Sequence, residues 1–411
     1  MQRAARPYHV VLACFLGWTI DAFDFFILII VLPHVALEFH TSRTTVTWAI
    51  TLTLALRPVG AVLFGRLADR YGRKSALIAN VLIFTVLEVA SGFAPTLTVF
   101  LLLRALFGIA MGGEWGIGAA LTMESIPARW RGPVSGILQS GYNAGYLLAA
   151  LVYGVGFSTL GWRGMFVTAA VPGLVVLYVR RAVPESPAWE QHKRAGVVRR
   201  AGFAQSLRTN WGIYLYAIVL MSAANTVGHG TQDIYPTFLQ VQHGLVPRQV
   251  AFILVIMNIG ALLGNLGGGV LSQVIGRRRQ LALAASLVLV LLPFWANAAT
   301  VTTLTATAFL MLFLVQGAFG VMPAHLNEIS PPDARATFPA FTYQLGNFFA
   351  AGNATIQSAL ASLLGNNYGL GQAIVVAIGA LAFVVLAIFG VEAKDTDMLA
   401  TSLAPVLPNG E

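Results

Sequence analysis

Twelve apolar runs divide this chain, near residues 10–34, 45–65, 75–94, 97–124, 133–156, 163–180, 211–236, 249–274, 280–297, 303–325, 337–364 and 370–391. Each is close to the ~20 residues that cross a bilayer as a helix. Lipid admits only helices or closed barrels, because every backbone polar group must be satisfied internally, and these runs are too long for barrel strands. Composition points the same way. Apolar residues make up 57% of the 411 and charged residues 10%, where a soluble domain carries roughly 25% charged. The expected class is therefore an all-α membrane protein with twelve transmembrane helices. The N-terminus runs straight into the first apolar segment with no small-residue cleavage site, so that segment reads as a retained helix and not a signal peptide. The single cysteine, Cys14, lies inside it, which excludes a disulfide within the chain.

The formal charge of +9 could suggest nucleic acid, but its distribution argues otherwise. Lys and Arg sit in short loops between apolar runs, the positive-inside pattern. With both termini cytoplasmic, all but five of the 25 fall inside. Arg43, Arg163 and Arg248 remain outside, and Arg57 and Arg104 lie within helices. The longest polar stretch, 182–210, reads as a cytoplasmic linker between a bundle over 1–181 and a second over 211–392, followed by a tail over 393–411. The expected location is the cell inner membrane, the expected partners are lipid and a small solute, and the working unit is a monomer.

The two halves repeat. Gly65-Arg66-Leu67-Ala68-Asp69-Arg70-Tyr71-Gly72-Arg73-Lys74 returns as Gly269-Val270-Leu271-Ser272-Gln273-Val274-Ile275-Gly276-Arg277-Arg278, a shift of 204 from Gly65 to Gly269. The same shift carries Glu124 onto Glu328, Pro127 onto Pro331, Arg131 onto Arg335 and Asn143 onto Asn347. One gapless shift that matches two separate loops is unlikely by chance, and it predicts two pseudo-symmetric six-helix bundles. The first of these loops resembles the signature loop of the major facilitator superfamily. Arg104 with Gly108, Gly112 and Gly113 resembles that family's fourth-helix motif, and Pro184-Glu185-Ser186-Pro187 the segment after its sixth helix. The resemblance covers nearly the whole chain and implies a transporter.

Ionisable groups inside membrane helices cost about 2.5–3.5 kcal/mol each on insertion scales and mark function. Here they are Asp21, Asp24, Arg57, Glu88, Arg104, Glu114, His229 and Asp233. Five acids against two arginines leave excess negative charge, so some carboxyls are expected to carry protons part of the time. Asn225, His229, Gln232 and Asp233 fall at i, i+4, i+7 and i+8, one face of the seventh helix. That stripe cannot face lipid. It lines either a cavity or a polar seam between helices. The run from Asn225 to Thr237 resembles the seventh-helix signature of fungal lactate/pyruvate permeases, N-x-x-[ST]-H-x-[ST]-Q-D-x-x-x-T, at Asn225, His229, Thr231, Gln232, Asp233 and Thr237. Gly228 stands where that signature has a Ser or Thr. Those permeases group with bacterial sialic acid carriers as sialate:proton symporters. Gly17-Trp18 with Asp21-Ala22-Phe23-Asp24-Phe25, and Gly112-Gly113-Glu114-Trp115, resemble the same group.

Arg57, ~20 Å into the second run, is the candidate for a substrate carboxylate, which a guanidinium holds in two parallel hydrogen bonds. The resemblance implies the same role for it, and the alternative is a structural pair with Asp21 or Asp24. Asn225, His229, Gln232, Tyr142 and Asn143 complete the expected substrate set. Asp21, Asp24, His229, Asp233, Arg104 and Glu114 form the expected proton-coupling set, with Arg104 tuning a nearby acid or serving structure alone. Asp21 maps by the 204 shift onto Asn225, which places both on one cavity. Glu88, isolated in sequence, reads as a helix-packing contact. Asp69, Arg70, Gly72, Arg73, Gln273 and Arg277 are the gating candidates, and the resemblance implies that this loop steadies the outward-open state. Their alternative is plain positive-inside anchoring.

No metal-spaced His/Cys cluster and no phosphate-cradling G-x-x-x-x-G-K-[ST] loop occur, so the expectation is neither an enzyme nor an ATP-driven pump, and no cofactor. The expected activity is proton-coupled symport of a small monocarboxylate of the lactate or pyruvate type by alternating access. The rivals are the same transport of sialic acid or an aromatic or other organic acid, and a non-transporting membrane sensor.

Overall fold

The computed structural model describes residues 7–168, 178–179, 182–194 and 203–399. The N-terminal half contributes α1 (Pro7–Glu38), α2 (Trp48–Tyr71), α3 (Arg73–Gly92), α4 (Leu97–Ser125) and α5 (Arg131–Thr168). A short polar helix, α6 (Pro187–Arg194), follows. The C-terminal half contributes α7 (Trp211–Gln232), α8 (Pro247–Ile275), α9 (Arg277–Ala296), α10 (Val301–Phe319), α11 (Thr337–Ala350), α12 (Asn353–Leu363) and α13 (Tyr368–Phe389). Among the described residues ten helices are long and apolar enough to cross a membrane. The expected sixth span lies largely outside the described residues, as do parts of the linker and tail.

Three runs differ from the sequence reading. The fifth runs as α5 to Thr168, with its break at Gly161, whose φ of 60° lies in the left-handed region. Such a φ is open to glycine and strained for most other residues. The tenth stops at Phe319 and resumes as Met322–Glu328. The eleventh, expected as one span, is two helices, α11 and α12, parted at Ala351–Gly352. Short apolar breaks of this kind carry no polar signal in the sequence.

Large apolar side chains such as Leu63, Val86 and Leu102 point outward, while Asp21, Asp24, Glu88, Arg104 and Glu114 are fully buried. This inverted arrangement suits lipid as the outer solvent. Glycines let helices approach backbone to backbone, as membrane packing favours. In the α2–α4 crossing a methyl at Gly108 would meet the Thr53 backbone and one at Gly112 the Arg57 carbonyl. The repeat-related α8–α10 crossing does the same with Gly264 against Phe313 and Gly268 against Gly317. Because α2 begins at Trp48, Arg57 sits ~14 Å along it, near the middle of a ~30 Å hydrocarbon core.

Candidate functional site

A cavity of about 470 Å³ lies between the halves. The N-terminal half lines it with Trp18, Phe25 and Phe26 of α1, Arg57 of α2, and Gln139, Tyr142 and Asn143 of α5. The C-terminal half supplies Asn225, Gly228, His229, Gln232 and Asp233, the sequence-defined stripe of α7. It adds Asn258 of α8, Gln316 and Phe319 of α10, and Tyr343 and Asn347 of α11. The stripe therefore faces the cavity, and all six residues of the expected substrate set line one space.

Arg57 is 5% exposed. Its Nη2 lies 2.6 Å from the Met111 sulfur, its Cζ lies 4.9 Å from the Phe25 ring centroid, and its Nε has no partner among the described residues. Among the described residues no carboxylate lies within 4.0 Å of it. The alternative of a structural pair with Asp21 or Asp24 is not what this conformation holds. A buried guanidinium whose neighbours are a thioether and a ring is under-satisfied, and an anion would supply the missing acceptors.

On α7, His229 Nδ1 lies 3.2 Å from Asp233 Oδ1 and Nε2 lies 3.3 Å from Asn347 Oδ1. The His229 and Asp233 side chains are 37% and 34% exposed, so water reaches this pair. Gln232 donates to the Gly228 carbonyl at 3.0 Å, while the Asn225 amide nitrogen is buried without a partner. Asn143 Oδ1 accepts from Asn265 at 3.1 Å, tying α5 to α8 beside the cavity.

Asp21 lies off the cavity wall on which the sequence placed it, and Asp24 is off that wall too. Neither lines the cavity; both are fully buried inside the N-terminal half with unpartnered carboxyl oxygens. Glu114 is equally buried and unpartnered, and a methyl at Gly17 of α1 would collide with its Oε1. An α1 covered by protein on most sides gives no periodic cue to which face meets the cavity, which is why the Asp21–Asn225 equivalence misled. Glu88, isolated in sequence, pairs with Arg104 at 2.7 Å. The Arg104 guanidinium also donates to Ser91 Oγ at 2.5 Å and lies 4.4 Å from the Phe107 ring centroid.

At the end of the molecule that carries the basic loops, the halves are bolted together. Asp69, in the last turn of α2, reaches across to the start of α11. Its Oδ1 accepts from Ala336 N at 3.0 Å, and its Oδ2 from Thr337 N at 3.1 Å and Thr337 Oγ1 at 2.5 Å. A carboxylate at a helix N-terminus meets unsatisfied N–H groups and the positive dipole end. Gln273 makes the repeat-related contact, accepting from Gly132 N at 3.0 Å. Arg73 grips Glu124 through two bonds of 3.0 and 2.9 Å, and Arg277 grips Glu328 through bonds of 2.8 and 2.9 Å. The turns before them need Gly72 and Gly276, at φ of 108° and 99°. Glu185 accepts from Arg73 N at 2.8 Å and Glu392 from Arg278 N at 3.0 Å. Arg70 lies at the surface over the Tyr71 ring, with no bond across the halves among those described.

Sequence reasoning missed Gln139, Tyr343 and Asn347. Trp115 Nε1 donates to Gln139 Oε1 at 3.1 Å, and Trp115 stacks on Tyr343 with centroids 4.1 Å apart. These side chains join the halves beside the cavity. The 204 shift relates Gln139 to Tyr343 and Asn143 to Asn347, so the repeat carried a usable signal.

Residues 14–338 match the sequence profile of the Major Facilitator Superfamily. A carboxylic acid transporter homolog of Saccharomyces cerevisiae is 29% identical over 370 residues, 84% of this chain and 60% of that protein. The chain thus spans three-fifths of that relative's length. A probable 4-methylmuconolactone transporter of Cupriavidus pinatubonensis is 30% identical over 375 residues, 89% of this chain and 86% of its own. The solved structure of a proton:xylose symporter bound to 6-bromo-6-deoxy-D-glucose superposes with a TM-score of 0.76 at 19% identity, covering 96% of this chain and 98% of that one. That likeness fixes the fold, with its twelve helices. A profile that covers most of the chain, and a cavity held between two repeated halves, place this protein in the major facilitator superfamily of membrane transporters.

Proposed function

We propose that the protein carries a monocarboxylate together with a proton by alternating access. The observation that carries this reading is Arg57, a buried guanidinium with no carboxylate partner among the described residues, facing a cavity whose opposite wall holds the His229–Asp233 pair. A proton taken up at that pair and an anion held at Arg57 cross as a neutral load, which avoids moving charge through a low dielectric. The carboxylic acid transporter homolog among the relatives supports the same cargo class. In this reading Asp21, Asp24 and Glu114 store or relay protons inside the N-terminal half, and Arg104 with Glu88 sets their field.

The protein sits in the cell inner membrane as a monomer, with the basic loops and both termini facing the cytoplasm. The bundles are 1–181 and 211–392, joined by 182–210, with 393–411 as tail. The Asp69 and Gln273 contacts then close the cytoplasmic side, and this conformation is open to or occluded towards the outside. Halves that rock about the central cavity must break those contacts to release cargo inside.

Proteoliposomes with an imposed pH step provide the test. Uptake of labelled carboxylate should accelerate with the inward proton gradient, Arg57→Ala should abolish it, and His229→Gln should make the remaining uptake indifferent to pH. Undiminished, pH-driven uptake in both variants would end the reading.

A further inference from the structure

The cavity is larger and more aromatic than a three-carbon acid requires. At about 470 Å³ it falls in the range of ~300–1,000 Å³ that takes drug-sized ligands. A lactate anion would leave most of it to water held against apolar rings. Those rings surround the anchor. Phe25 lies 4.9 Å from the Arg57 guanidinium carbon, and Tyr142 lies 5.6 Å from Trp18 and 5.3 Å from Phe26 between centroids.

Gly228 ties this shape to the sequence. It is the one defined position where the α7 run departs from the lactate-permease signature. A Cβ there would sit 3.0 and 3.2 Å from two ring carbons of Phe319. Both residues line the cavity. A Cβ at 228 would press the ring back by a few tenths of an ångström, so the glycine and the aromatic wall fit together. The polar groups divide likewise. His229, Gln232 and Asn143 are engaged with protein partners, whereas Arg57 Nε and Asn225 Nδ2 are not. Free donors for one acidic head and an apolar aromatic remainder describe a ligand with the same division.

We infer that the transported acid bears its carboxylate on a flat ring, aromatic or conjugated, with Gly228 and Phe319 setting that preference. The inference rests on Arg57 as the carboxylate anchor. Aromatic rings stack or meet edge to face with such a body, which a hydroxy acid cannot offer.

Equilibrium binding to the purified full chain tests it with labelled benzoate, lactate, cyclohexanecarboxylate and benzamide. Benzoate should bind at least tenfold more tightly than lactate and clearly more tightly than cyclohexanecarboxylate. Gly228→Ser should remove the preference for benzoate over lactate. Phe319→Ala, which fills no space and leaves α7 untouched, should remove it too. Lactate or cyclohexanecarboxylate bound by the wild type as tightly as benzoate, or no binding of any acid, overturns the ring assignment. Benzamide bound as well as benzoate, or acid binding unaffected by Arg57→Ala, sinks instead the anchor reading beneath it.

Discussion

The two halves share a backbone plan but not a chemistry. At positions related by the 204 shift, Asp21 faces Asn225 in the alignment, Arg57 faces Ala261, Glu88 faces Leu292, Arg104 faces Ala308 and Glu114 faces Ala318. The N-terminal half keeps a buried charged interior, and the C-terminal half replaces it with amides and apolar groups plus the His229–Asp233 pair. The ends that close the molecule stayed alike, with Arg73–Glu124 reproduced as Arg277–Glu328. Even there the load is unequal. Asp69 accepts three bonds, whereas Gln273 accepts one from the opposing α5, because Pro133 stands where Thr337 stands and has no N–H to give. The backbone plan is therefore maintained twice, while the side chains that line the cavity differ between the halves.

The buried pair offers the largest contrast. Glu88→Leu installs the C-terminal half's residue but strands Arg104 in a dry interior, which costs about 3–5 kcal/mol. Thermal unfolding in detergent should show a fall in Tm of several degrees. The double change Glu88→Leu with Arg104→Ala copies Leu292 and Ala308 and should recover most of that loss, since replacing a whole buried pair is often nearly neutral. Equal damage from the single and double variants would mean that the pair does more than satisfy itself.

Arg57→Ala comes next. The second half has only Ala261 at the equivalent position, so nothing substitutes for the guanidinium. Equilibrium binding should show a loss of about 100-fold or more, consistent with the 2–5 kcal/mol of a truncated buried charge contact. Arg57→Lys should restore only part of it, because a point charge lacks the planar fork.

The closing contacts follow. Hydrogen bonds to a charged group contribute about 1.5–3 kcal/mol each, and neutral ones about 0.5–1.5. Asp69→Ala should therefore speed deuterium exchange at the Ala336 and Thr337 amides by more than tenfold. Gln273→Ala should speed the Gly132 amide only a few-fold. Equal effects would remove the asymmetry between the two contacts.

Much of this was legible in the residues, for identifiable reasons. Hydrophobic runs report directly on lipid, and a gapless repeat reports on architecture. The α7 stripe was readable because polar groups spaced at i, i+4, i+7 and i+8 have one face to share. Arg57 was readable because an intramembrane arginine far from either end needs a reason. The Glu88–Arg104 pair was not, since it joins α3 to α4 through tertiary packing alone. Asp21 and Asp24 were found but not oriented, because a helix enclosed by its own half has polar groups on faces that no periodicity distinguishes. Tyr343 and Asn347 look like ordinary membrane-helix residues until the repeat places them opposite Gln139 and Asn143.

Crystals grown with 4-bromobenzoate test the anchor most directly, because bromine can be located by its anomalous signal independently of the protein. A single peak inside the cavity, with the carboxylate on the Arg57 guanidinium and Met111 displaced from it, is the expected result. A peak outside the cavity, or a cavity-bound ligand whose carboxylate turns away from Arg57, would contradict it.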